Sequence, residues 1–342
     1  MCVPARRDRS AGFARLAFSQ DMIRFLLRRL ISAVLLVLIV SSSALLLTRL
    51  APGDVTTNLG PSARPDEVTR IRARFNLDRS TSAQWSAWVI RVARFDFGDS
   101  YLYNRPVVGL IGRAAVNTAT LAFASLLIAT LFGIPFGIAS GSQSGMVPAL
   151  IRGASLLCLS VPPLLTSLLL VFIASRTGWF PAGGMTSVDA LDAGWSFWLF
   201  DVARHLPVPA LALALPIAAT FERLQSQSIA ESFHQPFIAA AVARGVTWRR
   251  LVFGHAWRAS LRSMCAIYGL AIGTLLSGSF IVEYVTAWPG LGRLMYEALR
   301  ARDIYLVAGC AAMGGVFLGF GSLLGDLLLF AADPRVRERQ TV

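Results

Sequence analysis

Six long apolar runs dominate this chain, and they restrict its possible folds more than any other feature. They cover, approximately, residues 30–48, 114–140, 147–175, 206–221, 264–287 and 305–332. A helix needs about 20 predominantly apolar residues to cross the hydrocarbon core of a bilayer. Runs of this length predict an all-α membrane protein with six transmembrane helices. The fourth run is short and contains three prolines, so the sequence leaves its ends undefined.

The composition supports a membrane protein and argues against two or three soluble domains. Hydrophobic residues make up 55% of the chain and charged residues 15%, and the mean hydropathy is +0.60. A soluble domain typically carries about 25% charged residues. The chain therefore has too few charges to cover a surface that faces water.

All 32 basic residues are arginines, and the chain contains no lysine. This excludes a Walker A lysine, a Schiff-base lysine and a Ser-Lys dyad. The net charge of +13 could indicate nucleic-acid binding. The arginines mostly flank apolar runs, however, so we interpret them as setting the orientation of the spans in the membrane and predict no nucleic-acid partner. Arginine clusters precede the first run and follow the last. We therefore expect both termini in the cytoplasm.

Polar stretches divide the chain into segments. Met22 opens MIRFLLRRLI, so we predict that 1–21 is either a disordered extension or a stretch upstream of the true start at Met22. We predict that 22–48 is an uncleaved first transmembrane helix. Residues 49–113 form an extracytoplasmic segment with helices near 65–75 and 84–95. The main transmembrane domain covers 114–332, includes a cytoplasmic loop at 222–262, and is followed by a cytoplasmic tail at 333–342.

No arrangement of side chains in the sequence predicts catalysis. The three histidines are far apart, HExxH and GxSxG are absent, and no two cysteines form a CxxC pair. The acidic residues Asp326 and Glu283 lie near the ends of apolar runs, so paired acids at mid-membrane depth are not expected. We predict no catalytic residue, no metal site and no cofactor. An intramembrane enzyme remains the alternative from a different functional class.

The loop at 222–262 has the most specific local pattern. Residues 225–244 read as a helix with small side chains, Gly245 suits a helix C-terminus, and Thr247 could cap a second, basic and apolar helix, TWRRLVFGHAWRASL. Small residues allow close approach of a protein partner. An amphipathic helix lying on anionic lipid explains the same pattern equally well.

This loop and a series of further motifs resemble a known family. FIAAAVARG, followed ten residues later by HAWRASL, resembles the cytoplasmic coupling loop of binding-protein-dependent ABC importer permeases. The similarity is greatest to the first permease subunit of the dipeptide/oligopeptide/nickel family. Further matching segments, in chain order, are MIRFLLRRLI, RLAPGD, PDEVTRIRARFNLD, RPVVGLIGRAAVNTATLA, SVPPLL, WFPAGG, VEYVTAWPGLGRLMYEALRARD and DLLLFAADPRVR.

The resemblance implies the type I ABC importer permease fold and a multi-pass location in a bacterial-type inner membrane. It implies one half of a heterodimeric pore that works with a second permease subunit, two ABC ATPase subunits, an extracytoplasmic solute-binding protein and the surrounding membrane lipid. Closure of the ATPases on ATP would move the coupling loops and open the pore outward. Peptides, nickel chelates and glutathione are not distinguished, and an exporter or a non-ABC channel would also show six spans.

The resemblance also suggests roles for individual residues. Residues predicted to couple to the ATPases are Glu231, Ala240, Ala241, Arg244, Gly245, Arg249, Arg250 and His255. A tight outer-face turn near the docking site of the binding protein is predicted at Pro289, Gly290, Leu291 and Gly292. Candidates for lining the pore are Ser160, Pro162, Pro163, Thr166 and Ser277. We expect the two prolines to kink the third span and free carbonyl groups.

Overall fold

A computed structural model describes residues 9–51, 53, 56–57, 64–75, 78–188 and 194–332. The described regular structure is helical, apart from an isolated antiparallel bridge between Asp99 and Pro106. The helices are α1 (Arg9–Leu50), α2 (Pro65–Arg74), α3 (Thr81–Val92), α4 (Val107–Ser142), α5 (Met146–Ser160), α6 (Pro163–Thr177), α7 (Trp195–His205), α8 (Pro207–Phe233), α9 (Pro236–Ala243), α10 (Trp248–Arg250), α11 (Trp257–Gly278), α12 (Phe280–Val285), α13 (Leu291–Ala301) and α14 (Ile304–Ala332).

Five of the described helical stretches are long and apolar enough to cross a bilayer by themselves. They are Leu27–Leu50, Val107–Ser142, Pro207–Phe233, Ser263–Val285 and Ile304–Phe330. The third predicted span is instead two helices, α5 and α6, bent by 102° relative to each other. The described residues therefore provide five spans, or six if the bent pair counts as one. This confirms an all-α membrane protein.

The bend is sharper than the predicted kink because two prolines follow each other. Val161 and Pro162 are extended, and Pro163 begins α6. Proline lacks a backbone N–H and disfavours helical geometry in the residue before it, so α5 cannot continue.

The first helix differs from its predicted start. α1 begins at Arg9, upstream of the transmembrane helix predicted at 22–48, and residues 1–8 lie outside the described part of the chain. That 1–21 is a disordered extension stays a prediction. From residue 13 to residue 50 there is no glycine or proline, and most residues favour helix. Local propensity therefore extends the helix upstream of Met22.

One end of the helical bundle carries the small helices between the first two spans. α2 and α3 confirm the two helices predicted there. Phe75 and Trp88 pack with Leu45 near the end of α1 and with Ile304 at the start of α14. Tyr305 also donates a hydrogen bond to the backbone oxygen of Phe75 over 3.2 Å. We call this the outer end.

The opposite end, here called the inner end, joins the start of the first span, Leu27–Leu50, to the ends of α4, α8 and α14. Arg29 on α1 forms an ion pair with Asp326 on α14. α4 lies directly on α8, where a Cβ on Gly137 would come within 2.7 Å of the backbone oxygen of Glu222. Small residues permit such close helix contacts in membranes.

The bent pair connects the two ends. In the first half of α5, Arg152 donates a hydrogen bond over 2.8 Å to the backbone oxygen of Ser140 at the inner end of α4. After α6, Gly184 donates its N–H to the oxygen of Thr286 over 2.8 Å, directly after α12. The pair thus runs from the inner towards the outer end despite its bend, as a sixth crossing requires.

Candidate functional site

The predicted coupling segment lies at the inner end, between α8 and α11. The single helix expected over residues 225–244 is wrong, because α8 ends at Phe233 and α9 begins at Pro236. Gln235 is extended, as expected for a residue before proline. Proline is favoured in the first turn of a helix, where its missing N–H has no intrahelical partner. The break makes α9 a separate eight-residue helix.

Gly245 ends this short helix in the conformation that the sequence predicts. Its φ is +72°, in the left-handed region that glycine adopts without a steric penalty. Its N–H bonds to the oxygen of Val242 over 2.9 Å, and the next N–H, of Val246, bonds to Ala241. No atom lies within 4 Å of a Cβ added at Gly245, so the backbone angle alone creates the need for glycine.

The second helix of the segment, predicted over TWRRLVFGHAWRASL, continues beyond that stretch. Thr247 is extended and its side chain makes no capping hydrogen bond. The helix that follows runs through α10 and a π-helical stretch, Leu251–Ala256, directly into α11. The basic part of the segment is therefore the inner end of the fifth span, which is joined to α9 through the turn at Gly245 and the extended Thr247.

The buried face of α9 anchors it to the spans. Ile238 and Ala241 pack in a cluster with Ile138 of α4, Ile229 of α8 and Leu251. Ala241 is fully buried, so it stabilises α9 and presents no surface to another protein. His255 is partly buried. The other predicted coupling residues are exposed: Glu231, Ala240, Arg244, Gly245, Arg249 and Arg250.

The structure adds exposed apolar side chains that the sequence analysis did not select. Phe237, Val242, Trp248 and Phe253 are each between 43% and 56% exposed. The ring of Trp248 stacks on Phe233 with centroids 5.0 Å apart, which ties α10 to the end of α8. The sequence could have indicated the first two. Ile238 and Ala241 are spaced i, i+3 and form the buried face of α9, and Phe237 and Val242 lie outside that spacing.

The predicted outer turn folds around a buried carboxylate. Glu283 of α12 is 0% exposed, and its Oε1 accepts hydrogen bonds from Thr118 of α4 and Ser279 at 2.7 and 2.6 Å. Its Oε2 accepts from the N–H groups of Gly292 and Arg293 at 2.7 and 3.3 Å. Those two groups belong to the first turn of α13, where backbone N–H groups lack intrahelical partners. Glu283 therefore caps α13 from another helix.

Two further contacts seat this turn on α4. The indole of Trp288 donates to the backbone oxygen of Asn117 over 3.0 Å, and the Asn117 amide donates to Pro289 over 2.9 Å. Gly290 and Leu291 are buried, Gly292 is partly buried and Pro289 is exposed. The predicted four-residue turn is thus largely packed inward. The sequence placed Glu283 near a span end but did not reveal that its carboxylate organises this turn.

Four of the five pore candidates lie around the bend between α5 and α6, and Ser277 lies on α11. Pro162 and Pro163 are exposed at the break. The hydroxyl of Ser160 donates to Leu156 over 2.8 Å, and that of Thr166 donates to Pro162 over 3.4 Å. Both hydroxyl groups are thus bonded to their own chain. The side chain of Ser277 lies outside the described part of the structure.

Metal ligation has no support in the described residues, since no group of three or more His, Cys, Asp or Glu side chains could hold an ion there. Asp201 and His205 of α7 are both buried, with His205 Nδ1 3.6 Å from Asp201 Oδ1. Asp201 accepts hydrogen bonds from the N–H and hydroxyl of Ser187, both at 2.6 Å, and these bonds hold its pKa below the usual value. Asp201 thereby fastens the loop before α7.

Comparisons with known proteins agree with this architecture. The family model described as Binding-protein-dependent transport system inner membrane component matches residues 133–338, and its N-terminal counterpart matches 22–122. A Brucella abortus protein named as a peptide transport system permease is 33% identical over 319 residues. Oligopeptide transport system permease proteins of Bacillus subtilis and Mycobacterium bovis are 28% and 31% identical over 319 and 329 residues. Each alignment covers 92% of this chain and 99% of the relative.

The two family models together cover most of the features described above. Apart from residues 123–132 of α4, the spans, the short inner helix and the outer turn lie within the matched residues. The role of such a chain is transport through the inner membrane, not catalysis. The protein belongs to the family of binding-protein-dependent transport system inner membrane components, the permease subunits of ABC importers.

Proposed function

We propose that this permease subunit imports peptides or similar small solutes as one half of a heterodimeric pore. A second permease, two cytoplasmic ATPases and an extracytoplasmic solute-binding protein complete the importer. Both termini and α9 face the cytoplasm in this proposal. The observation that carries it is α9 itself, a short helix with an exposed apolar surface, followed by the exposed Arg244 and packed on its other face against α4 and α8.

The orientation is supported by the arginines at the inner end. Arg24 and Arg28 are exposed near the start of the first span, and Arg29 is tied to Asp326 near the end of the last described helix. An excess of arginine in short flanking segments marks the cytoplasmic side. α9 lies at this same end, where cytoplasmic ATPases could reach it.

The coupling role is supported by the way α9 is attached. Phe237, Val242 and Trp248 provide an apolar surface, while Arg244 and Arg249 provide exposed positive charge beside it. Apolar anchors surrounded by arginine suit a protein interface. Because the opposite face of α9 is packed on α4 and α8, a push on the exposed face would move the spans and not only the loop.

The substrate class rests on the relatives, whose names describe peptide and oligopeptide transport. The outer turn near Pro289 would lie close to the docked binding protein. Ser160, Thr166 and Ser277, with the break at Pro162 and Pro163, remain predicted to line the pore together with residues of neighbouring spans.

A reconstituted complex tests the coupling role. We expect the isolated chain to show no ATP turnover, and the complex to show turnover that the loaded binding protein stimulates. Alanine at Arg244, Arg249 and Arg250 together should abolish this stimulation, whereas Arg258→Ala, an exposed arginine at the start of α11, should retain it. Full stimulation in the triple variant would mean that the segment lies on the membrane surface and does not couple.

Uptake measurements test the substrate class. Proteoliposomes containing the complex and its binding protein should accumulate labelled di- or oligopeptides when ATP is present. Uptake of a nickel chelate or glutathione, with no uptake of peptides, would contradict the proposal.

A further inference from the structure

An open crevice lies between α4, α5 and α8, away from the coupling segment and the outer turn. It consists of an apolar chamber of about 500 Å³ and a polar mouth of about 210 Å³. Ser155 and Glu222 line both parts, so the two are continuous. The mouth lies at the inner end, since Arg152 there is bonded to Ser140 near the end of α4.

The chamber has the character of an acyl-chain site. Glu222 is the one acidic or basic side chain in its described lining, and the remaining lining is apolar apart from Ser155 and Cys158. Along α8 the chamber extends from Leu211 to Glu222, eleven residues or about 16 Å of helix at 1.5 Å per residue. This length matches one leaflet of the hydrocarbon core, which is about 15 Å thick.

The mouth has the character of a phosphate site. It is lined by Arg152, Arg223, Glu222, Ser226 and Gln227, among others. Within the described chain, neither arginine forms an ion pair. Arg152 uses one N–H on Ser140, which leaves other guanidinium donors for a ligand. Glu222 accepts a hydrogen bond from the Ser140 hydroxyl, and two guanidinium groups against one carboxylate leave a net positive charge.

We propose that this crevice binds an anionic phospholipid of the inner leaflet, with an acyl chain in the chamber and the phosphate at Arg152 and Arg223. A helix of a partner protein could fill the chamber but would leave two arginines unpaired at the headgroup level. A phospholipid fills the chamber with an acyl chain and pairs its phosphate with the arginines. Basic pockets between transmembrane helices on the cytoplasmic side bind anionic lipid headgroups in this way. The choice of leaflet rests on the proposed orientation, while the site itself does not depend on the transport function.

Photocrosslinking of the full-length chain in phosphatidylcholine nanodiscs tests the site. The probe is phosphatidylglycerol with a diazirine near the end of one acyl chain, and crosslinked peptides are mapped by mass spectrometry. We expect labelling of chamber residues such as Phe132, Phe136 and Leu150. A phosphatidylcholine probe with the same acyl chain should label them less.

Variants separate the headgroup contacts from the chamber. The double variant R152Q/R223Q should reduce chamber labelling about 30-fold, given the usual contribution of two basic residues near an anionic surface. R24Q/R28Q, which makes the same charge change at two exposed positions of α1, should leave labelling unchanged. Ala154→Trp fills the chamber while keeping both arginines, and it should also abolish labelling.

The proposal is overturned if the phosphatidylcholine probe labels the chamber equally well, or if R152Q/R223Q behaves like R24Q/R28Q. It is also overturned if the wild-type chamber is not labelled, either in the chain alone or in the assembled importer. Absence of labelling would mean that another protein segment occupies the chamber. If R152Q/R223Q does not fold, Ala154→Trp and the comparison of the two headgroups decide.

Discussion

The carboxylate of Glu283 accepts a hydrogen bond over 2.7 Å from the backbone N–H of Gly292, nine residues further along the chain. Between them the chain leaves α12, turns at the outer end and begins α13. Thr118 of α4 connects both sides of this turn, because its hydroxyl donates to Glu283 and accepts from the N–H of Leu291 over 2.8 Å. The helices α4, α12 and α13 therefore meet at one carboxylate.

Removal of this carboxylate should destabilise the outer turn strongly. In Glu283→Ala, the two hydroxyl and two N–H donors lose their buried acceptor, which we expect to cost about 3 kcal/mol. Thermal unfolding in detergent and proteolysis near Trp288 measure the effect. Glu297→Gln, at a partly exposed position on α13, is the control and should change stability by less than about 1 kcal/mol. Equal stability of both variants would show that the network is not needed for the turn.

Gly292 should not tolerate even alanine. An added Cβ would collide with the Cα of Phe280 and approach Glu283 Oε2 to 3.1 Å. The backbone of Phe280 or of residue 292 would therefore have to shift. We expect Gly292→Ala to lower stability by about 1–3 kcal/mol. Gly112→Ala is the matched control, because no atom lies within 4 Å of its Cβ position within α4, and alanine favours helix. A stable Gly292→Ala protein would contradict the packing described here.

The contact between α11 and α14 should depend on paired glycines in the same way. A Cβ on Gly269 would collide with the backbone of Gly325, and a Cβ on Gly321 would approach the backbone N of Gly273 to 2.6 Å. We expect Gly269→Ala to lower the melting temperature and Gly314→Ala, which has open space, to leave it nearly unchanged. The reverse order would mean that the two spans do not approach as closely as described.

Substitution of Gly245 should uncouple transport without preventing insertion. β-Branched residues resist a φ of +72°, whereas asparagine tolerates it better. Gly245→Val should therefore lose most uptake and ATPase association, and Gly245→Asn should retain more of both. Membrane content, measured by immunoblot, should be normal for each. Normal uptake by Gly245→Val would disprove the coupling role of this turn.

The outer end should also show a pH dependence at alkaline pH. Burial, together with a 2.5 Å hydrogen bond to Glu297, raises the pKa of Tyr103 from 10.0 to about 12. Its neutral form is favoured in the folded protein, so this stabilisation is complete below pH 10 and is lost as pH rises towards 12. Ultraviolet titration of tyrosinate should show a late component that Tyr103→Phe removes. A titration unchanged by Tyr103→Phe would contradict the assignment.

Much of the inner end could be predicted from the chain alone. Long apolar runs specify spans because the bilayer has a fixed thickness. Gly245 could be recognised as the end of a helix because its role depends on its own backbone angle. Pro236, by contrast, was overlooked as a break between α8 and α9, although the rule that places proline in the first turn of a helix is equally local.

Only the tertiary structure revealed the roles of Glu283 and Glu222. In the sequence each is a single acid in or beside an apolar run, and its partners, Thr118 and Ser140, lie on α4, 165 and 82 residues away. The 102° bend between α5 and α6 was likewise predicted only as a kink. Hydropathy and turn chemistry are properties of neighbouring residues, whereas the partner of a buried carboxylate is set by which helices pack together and at what depth.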